Sequence, residues 1–407
     1  MSAQFAFGTY RISDHEPSHI QALVSAVESG VTLIDTSTNY MDGGAERAIA
    51  QAFNKLPDEA FANVEVVSKF GYIQGTTMAR LKASDGIDDV VEYSETCYHC
   101  ITPEFLQDQL SESLERLNLS SLSCYLIHNP EYFMLDAINK EMDKAEMLDL
   151  MLERIYKAFV GLELEVGLGR IKSYGISSNS FAKKSGADDY LPFEDLMELA
   201  EAAAKEVGHD KHHFTTIQFP LNILEQEGLK CARWAKKNGL RVLVNRPLNV
   251  QDNNLMFRLA DYDEPADYYH HLNALLEMSD NTPMKNIFNM LTQLDEVKHK
   301  FGWVGEYHSF LYEQVVPHLR GSLNEFKDSQ RESIQESLEL FLSEYEEMVL
   351  YECSRSTRIQ LKDRLEGCEL SLQNCAFNYL LKQTDIDYIL VGMRKVSYVS
   401  EVMGITL

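Results

Sequence analysis

Short apolar runs alternate with amphipathic helical patterns through the first 250 residues of this 407-residue chain, and this alternation limits the fold more than any other feature. Seven runs fall at residues 5–8, 31–35, 64–69, 123–128, 172–177, 215–219 and 241–245, and an eighth lies at 387–391. Strand-length runs separated by helices predict a parallel sheet, and eight repeats favour a closed (β/α)8 TIM barrel over an open sheet. Between the first two runs, Ile20, Leu23, Val24 and Val27 share one helical face, and Gly30 can terminate that helix. A second helix is expected over 45–53. A third starts at Thr102, a suitable N-cap, with Pro103 in its first turn and Phe105, Leu106, Leu110, Leu114 and Leu117 on one face.

A barrel of this kind needs about 250 residues, so much of the chain is surplus, and most of it lies between the seventh and eighth runs. Residues 251–365 carry helical patterns, with Ile334, Leu338, Phe341 and Met348 interleaved by Glu339, Glu344, Glu346 and Glu347. They also carry roughly two-fifths of the net negative charge. We read them as an acidic helical insertion rooted beside the active-site mouth, with the barrel on 1–250 and 366–407. The acidic faces serve as solvated surface or as a contact for a protein partner. Residues 70–101 are expected as a long loop over the substrate pocket. That loop includes Cys97-Tyr-His-Cys100, a spacing also found in redox pairs and zinc half-sites; no second Cys pair at such spacing exists, so the segment is read as loop.

The net charge of −26 argues against nucleic acid and anionic membranes as partners, because both attract basic surfaces. No apolar stretch approaches the roughly 20 residues of a membrane-spanning helix. The start of the chain lacks the basic and apolar regions of a secretory signal. Seven cysteines, an odd number, point to free thiols in a reducing cytoplasm.

Four polar residues stand where runs stop: Asp35, Tyr40 five residues later, Lys69 and His128. Singly, each has a plain reading, as a helix cap, packing, an ion-pair partner or a core histidine. Together they make a proton-transfer set. A free phenol titrates near 10, a neighbouring ammonium favours its ionised form, and a buried carboxylate holds that ammonium charged. A histidine opposite can orient a carbonyl oxygen.

These residues and their surroundings resemble the aldo-keto reductase superfamily. Phe7-Gly8-Thr9-Tyr10-Arg11 resembles the family's opening strand and turn, and Leu33-Ile-Asp-Thr-Ser-Thr-Asn-Tyr40 with Glu46 its Asp-Thr-Ala-x-x-Tyr signature. Ser113-Leu-Glu-Arg-Leu117 through Leu126-Ile-His-Asn-Pro130 resembles the stretch that delivers the histidine. Gly175-Ile-Ser-Ser-Asn179, Gln218 and Pro247-Leu248 resemble the nicotinamide- and phosphate-binding stretches.

The resemblance implies reduction of an aldehyde or ketone with NADPH, or NADH as the alternative, without a metal. Tyr40 would be the general acid, its pKa lowered by Lys69; Asp35 would pair with Lys69, and His128 would orient the carbonyl. Members that reduce steroid double bonds carry Glu at the histidine position, so His128 favours carbonyl chemistry. Implied cofactor-binding residues are Gly8, Thr9, Tyr10, Ser177, Ser178, Gln218, Asn245, Arg246, Pro247, Leu248, Gly392, Met393, Arg394, Tyr398 and Glu401, with Asn179 in reserve.

The chain departs from the family at several of these positions. Asn245 stands where the family often stacks an aromatic ring on nicotinamide, and Tyr398 and Val402 stand at the usual Arg and Asn. Arg246 would bind an anion or pair with an Asp of the insertion. The alternative function is a nucleotide-binding regulatory or scaffold protein acting through the insertion.

Overall fold

A computed structural model describes residues 3–83, 86–252, 255–278 and 282–405. Eight parallel strands close into a barrel: β1 Gln4–Gly8, β2 Leu33–Asp35, β3 Glu65–Phe70, β4 Cys124–His128, β5 Tyr174–Ser177, β6 Phe214–Pro220, β7 Arg241–Asn245 and β8 Tyr388–Val391. They pair in sequence order around the ring, and β1 meets β8 to close it. Ala6, Leu33, Val67, Cys124, Leu126, Leu243 and Leu390 form a buried core cluster within it.

Register decides what the barrel presents at its mouth. Gly8 pairs with Asp35, His128 with Ser177, and Ser177 with Gln218. Asn245 pairs with Pro220. Each of these residues lies in the last part of its strand, so the parallel ladders bring them to one C-terminal rim.

The helices form for the reasons the sequence suggests. Pro17–Glu28 buries Ile20, Leu23 and Val27 and stops two residues before Gly30. Pro103–Leu117 is capped by Thr102, whose side chain accepts from the Phe105 N–H at 3.4 Å, and it buries Phe105, Leu106, Leu110 and Leu117.

The described part of residues 70–101, expected as a long loop, carries secondary structure of its own. Tyr72–Ile73, Val91–Ser94 and Cys97–His99 make a three-stranded antiparallel sheet, and Gly75–Lys82 is a helix. Cys97 and Cys100 are buried free thiols, and burial pushes both up from the ordinary thiol range, away from thiolate chemistry.

The expectation of free thiols is corrected at two positions, because Cys368 and Cys375 are joined in a disulfide. They stand only seven positions apart in sequence, and their Cα atoms lie 6.1 Å apart, within bridging reach.

The chain divides into two compact units, Met1–Pro247 with Asn378–Leu407, and Leu248–Phe377. The second unit opens with a hairpin of Asn249–Asp252 and Leu255–Arg258, followed by helices. The longest, Asp328–Gln360, spans 33 residues, about 50 Å at 1.5 Å per residue. Ile334, Leu338, Phe341, Tyr345 and Met348 recur along it at alternating spacings of four and three, which gives one buried stripe. Tyr268, Leu291, Leu294 and Tyr307 complete that unit's core. Among the described residues, no helix is long and apolar enough to cross a membrane.

Candidate active site

The rim of the barrel brings Asp35, Tyr40, Lys69 and His128 together. Lys69 is wholly buried near the end of β3, and its Nζ donates to Asp35 Oδ2 at 2.8 Å and to the Thr36 carbonyl at 2.7 Å. The same ammonium lies 3.4 Å from the Tyr40 hydroxyl. Gln218 Nε2 donates to the other Asp35 oxygen at 2.7 Å, so the carboxylate is held from both sides. Burial pushes Asp35 up and Lys69 down from their ordinary values, and their mutual attraction opposes both shifts. A buried pair of this kind survives because each charge has its partner and further hydrogen bonds.

Tyr40 is only partly exposed, and burial raises its phenol well above the usual value, with the Asp35 charge adding to the effect. The resting phenol therefore keeps its proton. His128, at the end of β4, sits edge-on to the Tyr40 ring with centroids 5.9 Å apart. Burial, then Lys69, then His99 push its imidazole well below the usual range, so it is neutral near pH 7.

Several neighbours are invisible to a reading of motifs alone. Ser37 Oγ lies 3.0 Å from His128 Nδ1, and it bonds Asn39 Oδ1 at 2.7 Å. Asn39 Nδ2 in turn donates to Gln74 Oε1 at 3.1 Å. His99 Nε2 lies 2.7 Å from the His128 carbonyl oxygen. Gly71, at φ +137°, makes room for that contact, since a Cβ there would sit 2.7 Å from His99 Nε2. Tyr72 places its ring edge-on to His128 at 4.7 Å and to Tyr132 at 5.2 Å, and its hydroxyl accepts from Asn129 Nδ2 at 2.7 Å. The small sheet built from residues 72–99 thus supplies aromatic neighbours to the histidine.

Among the implied cofactor residues, Ser177, Gln218 and Asn245 converge. Ser177 Oγ donates to Gln218 Oε1 at 2.9 Å, and Asn245 Nδ2 approaches the same oxygen at 3.4 Å. Asn245 Oδ1 is buried without a hydrogen-bond partner, an acceptor that an amide N–H would satisfy. Ser178 is placed differently. Its hydroxyl donates to Glu131 Oε2 at 2.7 Å and accepts from the Ser180 N–H at 3.1 Å, which engages it in the protein.

Thr9 bonds the Asp35 carbonyl through its Oγ1 at 2.9 Å, and the exposed Tyr10 packs edge-on to Tyr40 at 5.2 Å. Arg246, in left-handed backbone at φ +53°, bonds Glu225 at 3.2 Å. Pro247 and Leu248 follow it directly.

Gly392 leads out of β8; a Cβ there would come within 3.9 Å only of the Gly8 carbonyl oxygen. Met393 is buried and Arg394 exposed, ahead of the helix Val396–Met403, which carries Tyr398 and Glu401. That helix has no acidic residue in its first turn, so its positive end adds to Arg394 and Lys395. Lys395 lies over the Tyr398 ring at 5.8 Å.

A separate cavity of about 540 Å³ opens at the other end of the strands, lined by Val64, Glu65, Ser123, Ser173, Thr215 and Arg241. It contains none of Asp35, Tyr40, Lys69 and His128 and lies at the end opposite to the active-site face of such barrels.

The chain is similar to several known proteins. A 112-residue stretch is 27% identical to the NADH-specific methylglyoxal reductase of Escherichia coli (strain K12), and covers 27% of this chain and 30% of that protein. Among solved structures, a glycerol dehydrogenase from Gluconobacter oxydans matches with a TM-score of 0.49 at 17% identity, over 99% of this chain and 86% of that one. An aldo/keto reductase from Klebsiella pneumoniae in complex with NADP and acetate matches with a TM-score of 0.46 at 15% identity, over 100% and 90%. Residues 4–252 match the Aldo/keto reductase family, more than half of the chain. The chain therefore belongs to the aldo/keto reductase family, a family of oxidoreductases.

Proposed function

We propose that this protein reduces an aldehyde or ketone to an alcohol, using NADPH or NADH, with Tyr40 as the general acid. The observation that carries the reading is the buried Asp35–Lys69 pair with the Tyr40 hydroxyl 3.4 Å from its ammonium, facing His128. The orphaned Asn245 Oδ1 beside Ser177 and Gln218 fits a nicotinamide carboxamide, and Arg394 with the following helix end fits a phosphate. When bound, the reduced nicotinamide supplies the hydride.

The protein's own part is to place and protonate the carbonyl oxygen. The raised pKa of Tyr40 keeps the phenol loaded with its proton until the oxygen becomes basic. As the proton leaves, the Lys69 ammonium faces the phenolate that forms, and Asp35 with Gln218 keeps that ammonium in place. This is charge stabilisation prepared before the reaction, which costs no reorganisation at the moment of transfer.

His128 is neutral and has one ring proton to place. A Ser37 hydroxyl that donates to Nδ1 leaves the proton on Nε2, as a donor to the carbonyl oxygen. In that state the Asn39 amide turns its NH2 towards Ser37 and its oxygen towards Gln74, whose amide turns with it to donate. The ring edges of Tyr72, Tyr93 and Tyr132 suit a flat apolar group on the carbonyl carbon.

The test is a fluorescence titration with NADPH and NADH, followed by turnover of 4-nitrobenzaldehyde by the wild type and Tyr40→Phe. We expect binding of at least one cofactor and a drop in kcat of about 100-fold or more in the variant. Absence of binding by both cofactors overturns the reading. Binding with no turnover that depends on Tyr40 supports the regulatory alternative instead.

A further inference from the structure

Three side chains converge at the end of the strands opposite to the tetrad. Glu163 lies near the C-terminal end of the helix Lys144–Gly167, and its carboxylate is wholly buried. His209 follows Gly208, which ends the helix Leu196–Val207, and His213 immediately precedes β6. Nδ1 of each histidine lies 2.7 Å from Glu163 Oε2, and the His213 N–H donates to Oε1 at 2.7 Å. The three ligand atoms lie within 4.8 Å of one another. His-x-x-x-His is also a spacing that recurs at zinc centres.

The surroundings leave room for a ligand here. Tyr174 is wholly buried and sets its hydroxyl beside the Glu163 carboxylate. Gly167 leaves space where the His209 ring sits, since a Cβ there would lie 3.3 Å from Nε2. The histidine side chains remain 25% and 26% exposed, so an ion has a route in and a place for a water.

We propose that Glu163, His209 and His213 bind a divalent transition-metal ion, zinc by donor set, with water in the fourth position. Two imidazole nitrogens and one carboxylate oxygen suit zinc, copper or nickel better than calcium or magnesium. With bonds of about 2.1 Å at tetrahedral angles, each N···O distance would be ~3.4 Å. The two 2.7 Å contacts therefore open slightly as the quarter-exposed rings turn. The metal takes each Nδ1 without its proton, so the bound ring carries its proton on Nε2. Because the site lies at the N-terminal end of β6, its role is structural: it fixes the end of one long helix to the start of a barrel strand.

Calorimetric titration of zinc chloride into tag-free, chelator-washed full-length protein tests this, with cobalt(II) absorption as a report on geometry. We expect one ion per chain at micromolar Kd or tighter, and a tetrahedral cobalt spectrum. His209→Ala and His213→Ala should each weaken binding by about 10-fold or more. His209→Ala replaces a partly exposed side chain, so it decides the matter even where His213→Ala fails to fold. Absence of stoichiometric binding by the wild type, or binding unchanged in His209→Ala, overturns the proposal.

Discussion

Replacing Lys69 by Met tests the central charge argument, because it removes the ammonium and keeps most of the side-chain volume. Lys69 Nζ lies 3.4 Å from the Tyr40 hydroxyl. At an effective dielectric of about 20, an ammonium and a phenolate at that distance attract by about 5 kcal/mol. The Asp35 carboxylate, 2.8 Å from the same ammonium, offsets part of this by repelling the phenolate. We therefore expect a net loss of about 3 kcal/mol from the transition state, or roughly 100-fold in kcat, with KM little changed.

The substitution also leaves Asp35 buried without its cation, which costs about 3–5 kcal/mol of stability. Urea unfolding should show that loss, and adding Asp35→Asn should restore much of it without restoring activity. Steady-state reduction of 4-nitrobenzaldehyde, with circular dichroism to confirm folding, gives both quantities. A folded Lys69→Met protein with kcat within about fivefold of wild type would refute the reasoning.

Two other predictions concern the histidines. Burial pushes His99 down to about 4, against an unfolded value near 6.5. The unfolded chain then binds the extra proton first on acidification, so stability is full above pH 6.5 and is lost progressively towards pH 4, by about 3 kcal/mol. Urea unfolding across that range should show a flatter pH dependence in His99→Gln; an unchanged slope would assign the loss to other groups. Ser37→Ala should lower kcat about 10-fold by freeing the His128 ring, in line with the loss of one hydrogen bond. Ser37→Thr should retain most of the rate, and equal rates for all three proteins would show that Ser37 plays no part.

The strands were readable because each is a short, mainly apolar run between helical patterns, and observed boundaries fall within about two residues of the runs. Asp35, Lys69 and His128 were readable for the same reason, since β2, β3 and β4 end at or beside them. The small antiparallel sheet was not. Its strands are two to four residues long, and the ladder slips between Glu92 and Ser94, so no period-2 signal accumulates. Ser37 occupies the family's alanine position, and its bond to His128 joins residues 91 apart, which no local spacing reveals. Glu163 and its histidines are similarly separated, by 46 and 50 residues.

The pairing of Gln4–Gly8 with Tyr388–Val391 has a consequence for how the chain is made. β1 leaves the ribosome early, yet its partner appears only after about 140 further residues have followed β7, roughly 7–30 s at usual elongation rates. Until then β1 and β7 are raw sheet edges, with unpaired N–H and C=O groups open to any other strand. Closure of the ring is the most non-local event in folding. Nascent chains should therefore depend on chaperones until the last strand is out, and chains stopped before residue 388 should aggregate rather than form a smaller barrel.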